Sequence, residues 1–187
     1  MLGDLTKEPA AIANIALSSD QEAAYAAYTN SGNKLARILV LNMNAYNSTV
    51  DGAGVSPISP SKLGKRPSTK YSFTVDGLQK GTKVSVQRLS AGGSDAISGI
   101  TWDGYSYNYE LNMGKPVMMK NVTIGETTTA GDGGVLTVSV PDSSAVILNL
   151  AAKSSGKGAS TGEGLAKASN PKTSGAERRM NVLGWRM

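Results

Sequence analysis

The chain has 187 residues, 40% of them hydrophobic, with 22 glycines and neither cysteine nor histidine. That is enough for one domain with a core. It excludes disulfides, thiolate metal sites, Cys nucleophiles and Ser-His-Asp triads, and no metal or cofactor is expected. The net charge of +5 lies wholly in residues 151–187, because residues 1–150 balance 12 basic against 12 acidic side chains. The folded part therefore lacks the positive bias that draws nucleic acid.

Residues 1–19 form an N-terminal arm. Asp4, Lys7 and Glu8 interrupt its apolar residues, so no signal peptide is read, and Ala10 to Leu17 fits a short helix or an extended arm. In Glu22–Thr29 (EAAYAAYT) the alanines favour helix. The turn cluster Asn30-Ser31-Gly32-Asn33 and the run after it fit a hairpin better, and a strand is predicted. The run itself, Leu35 to Asn44 (LARILVLNMN), organises the chain. It is too short to span a membrane and is apolar on both parities, as in a strand with both faces covered.

Residues 45–69 hold three prolines and three glycines and read as a long connection. Tyr71, Phe73 and Val75 then alternate with Ser72 and Thr74, and Val84 and Val86 alternate in KVSVQRL. Turn signals at Asp76-Gly77 and Lys80-Gly81 predict that these two strands pair as an antiparallel hairpin. Ser90 to Gly99 is a loop. Tyr105, Tyr107 and Tyr109 form a third period-2 segment, and Pro116 to Ile124 is a weaker strand. Leu136, Val138 and Val140 alternate after Asp132-Gly133-Gly134. The turn Pro141 to Ser144 leads into AVILNL, again buried on both faces and completing a valine-rich final hairpin.

Seven to eight short strands punctuated by turns predict an all-β fold, an antiparallel β-sandwich over residues 20–150. Residues 151–187 are basic, rich in Gly and Ser, and lack apolar periodicity until their last few positions. They read as a disordered tail and a solvated linker.

Four stretches carry a resemblance. ARILVLNMNAYN, RPST at 66–69, VSVQRLSAGGSDAISGITWDGYSY at 84–107 and VSVPDSSAVIL at 138–148 together resemble the C-terminal domain of glycoside hydrolase family 79. These are the fungal and bacterial β-glucuronidases related to heparanase. The resemblance covers roughly residues 20–150 and is most specific in RLSAGGSDAISGITWDGYSY. It implies a β-sandwich packed beside a catalytic (β/α)-barrel that holds both catalytic carboxylates. A barrel needs about 250 residues of its own, so the chain is expected to be a detached or truncated accessory domain, not an enzyme on its own. The resemblance also implies an extracellular setting, and a sandwich whose first strand is often supplied by chain before the barrel. Such a sandwich would carry an exposed edge.

The residues offer three candidate sites. Retaining glycosidases need two carboxyls about 5 Å apart, and Asp95, Asp103 and Glu110 are candidates, although Asp in loops more often bonds its own backbone. Trp102, Tyr105, Tyr107 and Tyr109 would share a strand face able to stack on sugar rings. The competing readings are core packing, or a face that meets the barrel and would be an apolar patch without it. Arg66 and Arg88 could grip a uronate carboxylate or tie loops together. Asn47 and Asn121 stand in N-glycosylation triplets. The leading expectation is a non-catalytic accessory domain whose partner is a barrel, in cis or in trans, with no nucleic-acid or membrane partner. The alternative is a carbohydrate-binding module using the aromatic group, and a hydrolase in its own right ranks third.

Overall fold

The computed structural model describes residues 9–29, 34–120, 122–150, 166–167 and 177–181. Its strands are β1 (Pro9–Ile15), β2 (Glu22–Thr29), β3 (Leu35–Asn42), β4 (Ser68–Val75), β5 (Lys83–Ser90), β6 (Thr101–Trp102), β7 (Tyr105–Ser106), β8 (Val117–Met118), β9 (Glu126–Thr129), β10 (Val135–Pro141), β11 (Ser144–Asn149), β12 (Ala166–Lys167) and β13 (Glu177–Asn181), with one short helix, α1 (Tyr109–Asn112). The larger sheet runs β1-β2-β3-β11-β5-β6-β7-β8, with β9 also on β5. The smaller runs β10-β4-β12, with β13 also on β4.

The central run LARILVLN behaves as its pattern demands. Successive side chains on a strand face opposite sides, and in β3 both sides meet a core. Ile38 and Val40 enter the interlayer cluster, joined there by Val146 and Leu148 of β11, Val84 and Val86 of β5, and Tyr71, Phe73, Leu136, Val138 and Val140 of the smaller sheet. Leu39 goes the other way, into a second cluster with Ala27, Ala145, Ile147 and Trp102. An unbroken apolar run is what a strand between two cores requires. Each fully buried Leu, Ile, Val or Phe stabilises by about 1.5–3 kcal/mol relative to an exposed one. The antiparallel sandwich expected from the sequence is the fold observed.

Five local expectations are corrected or settled. Ala10 to Leu17, read as helix or extended arm, is extended: β1 pairs antiparallel with β2. The strands at 71–75 and 84–89 do not form a hairpin. β4 pairs with β10, whereas β5 pairs with β11, so the link at 76–82 crosses between the layers. The valine-rich final hairpin is likewise split, β10 in the smaller sheet and β11 in the larger. All four strands send their alternate apolar side chains to the same interlayer core. Stacked face to face they cover one another, which side-by-side pairing would not achieve. Gly134, at φ +72°, sits where a Cβ would lie 2.3 Å from the Val75 carbonyl oxygen, so only glycine lets the chain approach β4 so closely there.

The third correction concerns Tyr105 to Tyr109. The strand stops at Ser106, because Asn108 is extended and caps α1, its Oδ1 accepting from the Glu110 N–H at 3.2 Å. The fourth concerns Pro116 to Ile124, where among the described residues only Val117–Met118 is strand. The threonine-rich Glu126–Thr129 pairs with β5 instead. Of residues 151–187, all but 166–167 and 177–181 lie outside the described residues. Among the described residues no helix is long and apolar enough to cross a membrane.

Candidate functional site

Two of the polar candidates, Asp95 and Arg66, lie at the loops around Asp95 and Asp142, where they hold the protein to itself. Asp95 accepts from the Ser48 N–H at 3.0 and 3.1 Å and from the Thr49 N–H at 2.7 Å. The Thr49 hydroxyl and, at 3.3 Å, the Ser48 hydroxyl also donate to it. The Ser48 N–H above all, then the Thr49 hydroxyl, holds this carboxyl well below the usual carboxylate range. Asp95 therefore fastens the long 45–69 connection to the 91–95 loop as an anion at neutral pH. Arg66 spends its Nε and Nη2 on the carbonyls of Asp142 (2.7 Å) and Ser143 (2.9 Å), and its Nη1 on Ala91 (2.8 Å). Its guanidinium lies 5.4 Å from the Tyr46 ring centroid. Arg88 makes a bidentate pair with Glu126 and donates to the Ser139 carbonyl at 2.8 Å. Both arginines tie strands and loops together, and neither offers its fork to a uronate.

The three candidate carboxyls occupy separate settings. Asp95 is the anchor just described. Asp103 has φ +49° and Gly104 φ +83°, the two left-handed residues of a tight turn that joins Trp102 to its pair Tyr105. Its Oδ2 accepts from Gln87 Nε2 at 3.3 Å. Glu110 is exposed in the first turn of α1.

The aromatic group divides. Trp102 pairs with Leu89 across β5 and β6 and packs with Leu39 and Ile147, only 9% exposed. It belongs to the second core. The tyrosines do not: Tyr105, Tyr107 and Tyr109 are 39%, 54% and 69% exposed, on strand, loop and helix in turn. They lie in an excursion at 97–124 that extends the larger sheet beyond β5 and leaves much of its apolar surface bare. Tyr105 pairs with Met118 across β7 and β8. A Cβ on Gly104 would strike Ile124. A surface hollow of about 330 Å³ opens between Leu89, Ile97, Ile100, Trp102 and Tyr107, with Asn108 among its polar groups.

Sequence reasoning found the tyrosines but missed Ile97, Ile100, Leu111, Met113, Met118 and Ile124, all exposed. Their signal is a density of apolar residues in a stretch with neither helical nor strand period. Asn47 is exposed on the loop after β3, and Ser94 Oγ donates to its Oδ1 at 3.3 Å. Asn121 lies outside the described residues.

Comparison with known proteins gives this geometry its context. A β-glucuronidase of Aspergillus niger is 48% identical over 141 residues, covering 74% of this chain and 25% of its own length. One from Neurospora crassa is 42% identical over 142 residues, covering 68% of this chain and 25% of its own length. A solved 4-O-α-L-rhamnosyl-β-D-glucuronidase of Fusarium oxysporum superposes with a TM-score of 0.55 at 26% identity, over 74% of this chain and 26% of that one. The chain thus spans about a quarter of the length of the relatives it matches. Residues 24–147 match the glycosyl hydrolase family 79 C-terminal beta domain, and the chain belongs to that family.

Proposed function

We propose that this β-sandwich is the non-catalytic accessory domain of a β-glucuronidase-like glycoside hydrolase. Its role is structural: it packs the 97–124 face against the catalytic barrel, in cis in the parent enzyme. Residues 20–150 form the core unit of this reading. The observation that carries it is the exposed apolar surface of Ile97, Ile100, Tyr105, Tyr107, Met118 and Ile124. A soluble domain rarely leaves so many large apolar side chains bare in one stretch unless another surface covers them. The relatives match this domain over only a quarter of their own length, which supports a covering surface in the same polypeptide. An extracellular setting follows the same reading, and a glycan on Asn47 in protein secreted by a fungal host would be its mark.

The test is a chimera in which residues 20–150 replace the matching domain of the Aspergillus niger relative. The chimera should fold as one unit and cleave an aryl glucuronide. Ile100→Asp with Tyr107→Asp should then lower its melting temperature by several degrees while leaving the fold of the isolated sandwich intact. A chimera indifferent to both substitutions sinks the proposal.

A second reading rests on the hollow beside Trp102 and Tyr107. Its apolar wall with Asn108 in the lining suits a sugar ring; of the candidate contacts, Trp102 and Tyr107 line it, whereas Tyr105 and Tyr109 lie outside it. Saturable binding of glucuronides to the isolated chain, lost in Tyr107→Ala, would favour it.

A further inference from the structure

The smaller sheet consists of β10 and β4 paired antiparallel over seven residues, with the outer edge of β4 taken by two segments from the far C-terminal part of the chain. β12 adds a two-residue antiparallel pairing at Val75 and Thr74. β13 then runs parallel to β4 from Glu177, opposite Lys70, to Asn181, opposite Thr74. It makes the one parallel pairing among the described strands. We propose that the outer edge of β4 is a strand-acceptor site, and that its occupant is this chain's own Glu177–Asn181, held as an exchangeable strand and not as a fixed member of the sheet.

Three observations carry this. First, β4 is a poor edge when left bare. Its eight residues, STKYSFTV, carry a single charge, that of Lys70, and Tyr71 and Phe73 are fully buried, so its outward N–H and C=O groups, if left bare, would form a sparsely charged template for another strand. Second, β13 has the composition that ends a sheet. Glu177, Arg178 and Arg179 make three of its five residues charged, and charged edges resist further pairing. Third, the attachment is economical to release. Parallel pairing is the weaker kind per residue, the strand is five residues long, and 27 residues separate it from the end of β11, so closing the connection carries an entropic cost. The described members of the interlayer core all come from residues before 151.

The occupant therefore has two effects: it completes backbone pairing on β4 and it denies that edge to other chains. Other extended segments of suitable register would compete for the same place, as in strand addition to an exposed sheet edge.

Hydrogen exchange of the full chain tests this. Half of the β4 amides face β10 and the alternating half face β13, so both halves should be protected in the wild type. In Arg179→Pro with Met180→Pro, one of the two lost N–H groups must have pointed at β4, since neighbours in a strand point to opposite sides. The outward half of the β4 amides should then exchange at least tenfold faster while β11 amides keep their protection. A synthetic peptide of residues 175–183 should restore protection to that half. A second variant, with Glu177–Asn181 replaced by Gly-Ser-Gly-Ser-Gly, should match the proline variant.

Fast exchange of the outward half in the wild type would overturn the proposal. So would unchanged protection in both variants. Loss of β11 protection in both would overturn it too, by making β13 an integral strand. A wild-type chain that is dimeric in light scattering, with β4 protected only in the dimer, would hand the site to a second copy and overturn the assignment made here.

Discussion

At the scale of single residues, the sandwich is held at its loop end by side chains whose charges are spent internally. Asp95 is the clearest. With its folded pKa depressed by the Ser48 and Thr49 donors, its contribution is complete above the unfolded carboxylate range near 3.9 and is lost as the pH falls through the folded value. Asp95→Asn keeps the shape but turns an amide N–H₂ toward groups that are themselves donors. We expect it to melt several degrees below wild type at pH 7, with the gap narrowing below about pH 4, where the unfolded chain's carboxylate takes up a proton while the folded one keeps its charge. Thermal melts at pH 7, 5, 4 and 3 check this, and a gap independent of pH would refute the role given to Asp95. Asp103 shows how much a residue type can say: in Trp-Asp-Gly-Tyr the Asp-Gly pair is a strong hairpin signal, and its turn role was legible without coordinates. Arg66 was not. Its three carbonyl partners come from residues 91, 142 and 143, far from it in sequence, and no local pattern announces them.

At the scale of elements, runs with strict patterns were read well and boundaries between layers were not. The double-sided apolarity of β3 and β11 correctly placed both in the sheet interior, because nothing else explains apolar residues on both parities. Ile147 is fully buried in the second core between Leu39 and Trp102. Ile147→Ala should cost 2–5 kcal/mol in urea unfolding, about the range for emptying a packed site. Met118→Ala, on an exposed side chain of β8, should stay within about 0.5 kcal/mol. Equal effects would mean that the second cluster is not a core. Turn residues mark that the chain reverses but not whether it stays in its layer, so the links after β4 and β10 were misread as hairpins. The tyrosine segment failed for a different reason: three alternating aromatics outweighed the helix start written in Asn108 and Glu110.

At the scale of the whole molecule, the architecture was legible and the exposed face was legible only in part. The two-layer fold follows from counting patterned runs, and the family from four motifs. The bare surface at 97–124 could not be read directly, since sequence shows apolar residues but not which of them lack a neighbour. The isolated chain should therefore bind a hydrophobic dye strongly for a folded protein. Ile100→Asp with Tyr107→Asp should cut that signal several-fold without altering circular dichroism. Dye binding unchanged in the variant would place the accessible surface elsewhere.

The interior position of β3 has a consequence for how the protein is made. One side of this strand is met early, by β2, but the other is met only by β11, whose last residue lies 107 positions beyond Asn42. At ordinary translation speeds the ribosome takes roughly 5 to 20 s to supply it. Throughout that interval the most apolar backbone in the chain waits with one flank uncovered, so the newborn polypeptide depends on chaperones most acutely before its final strands emerge.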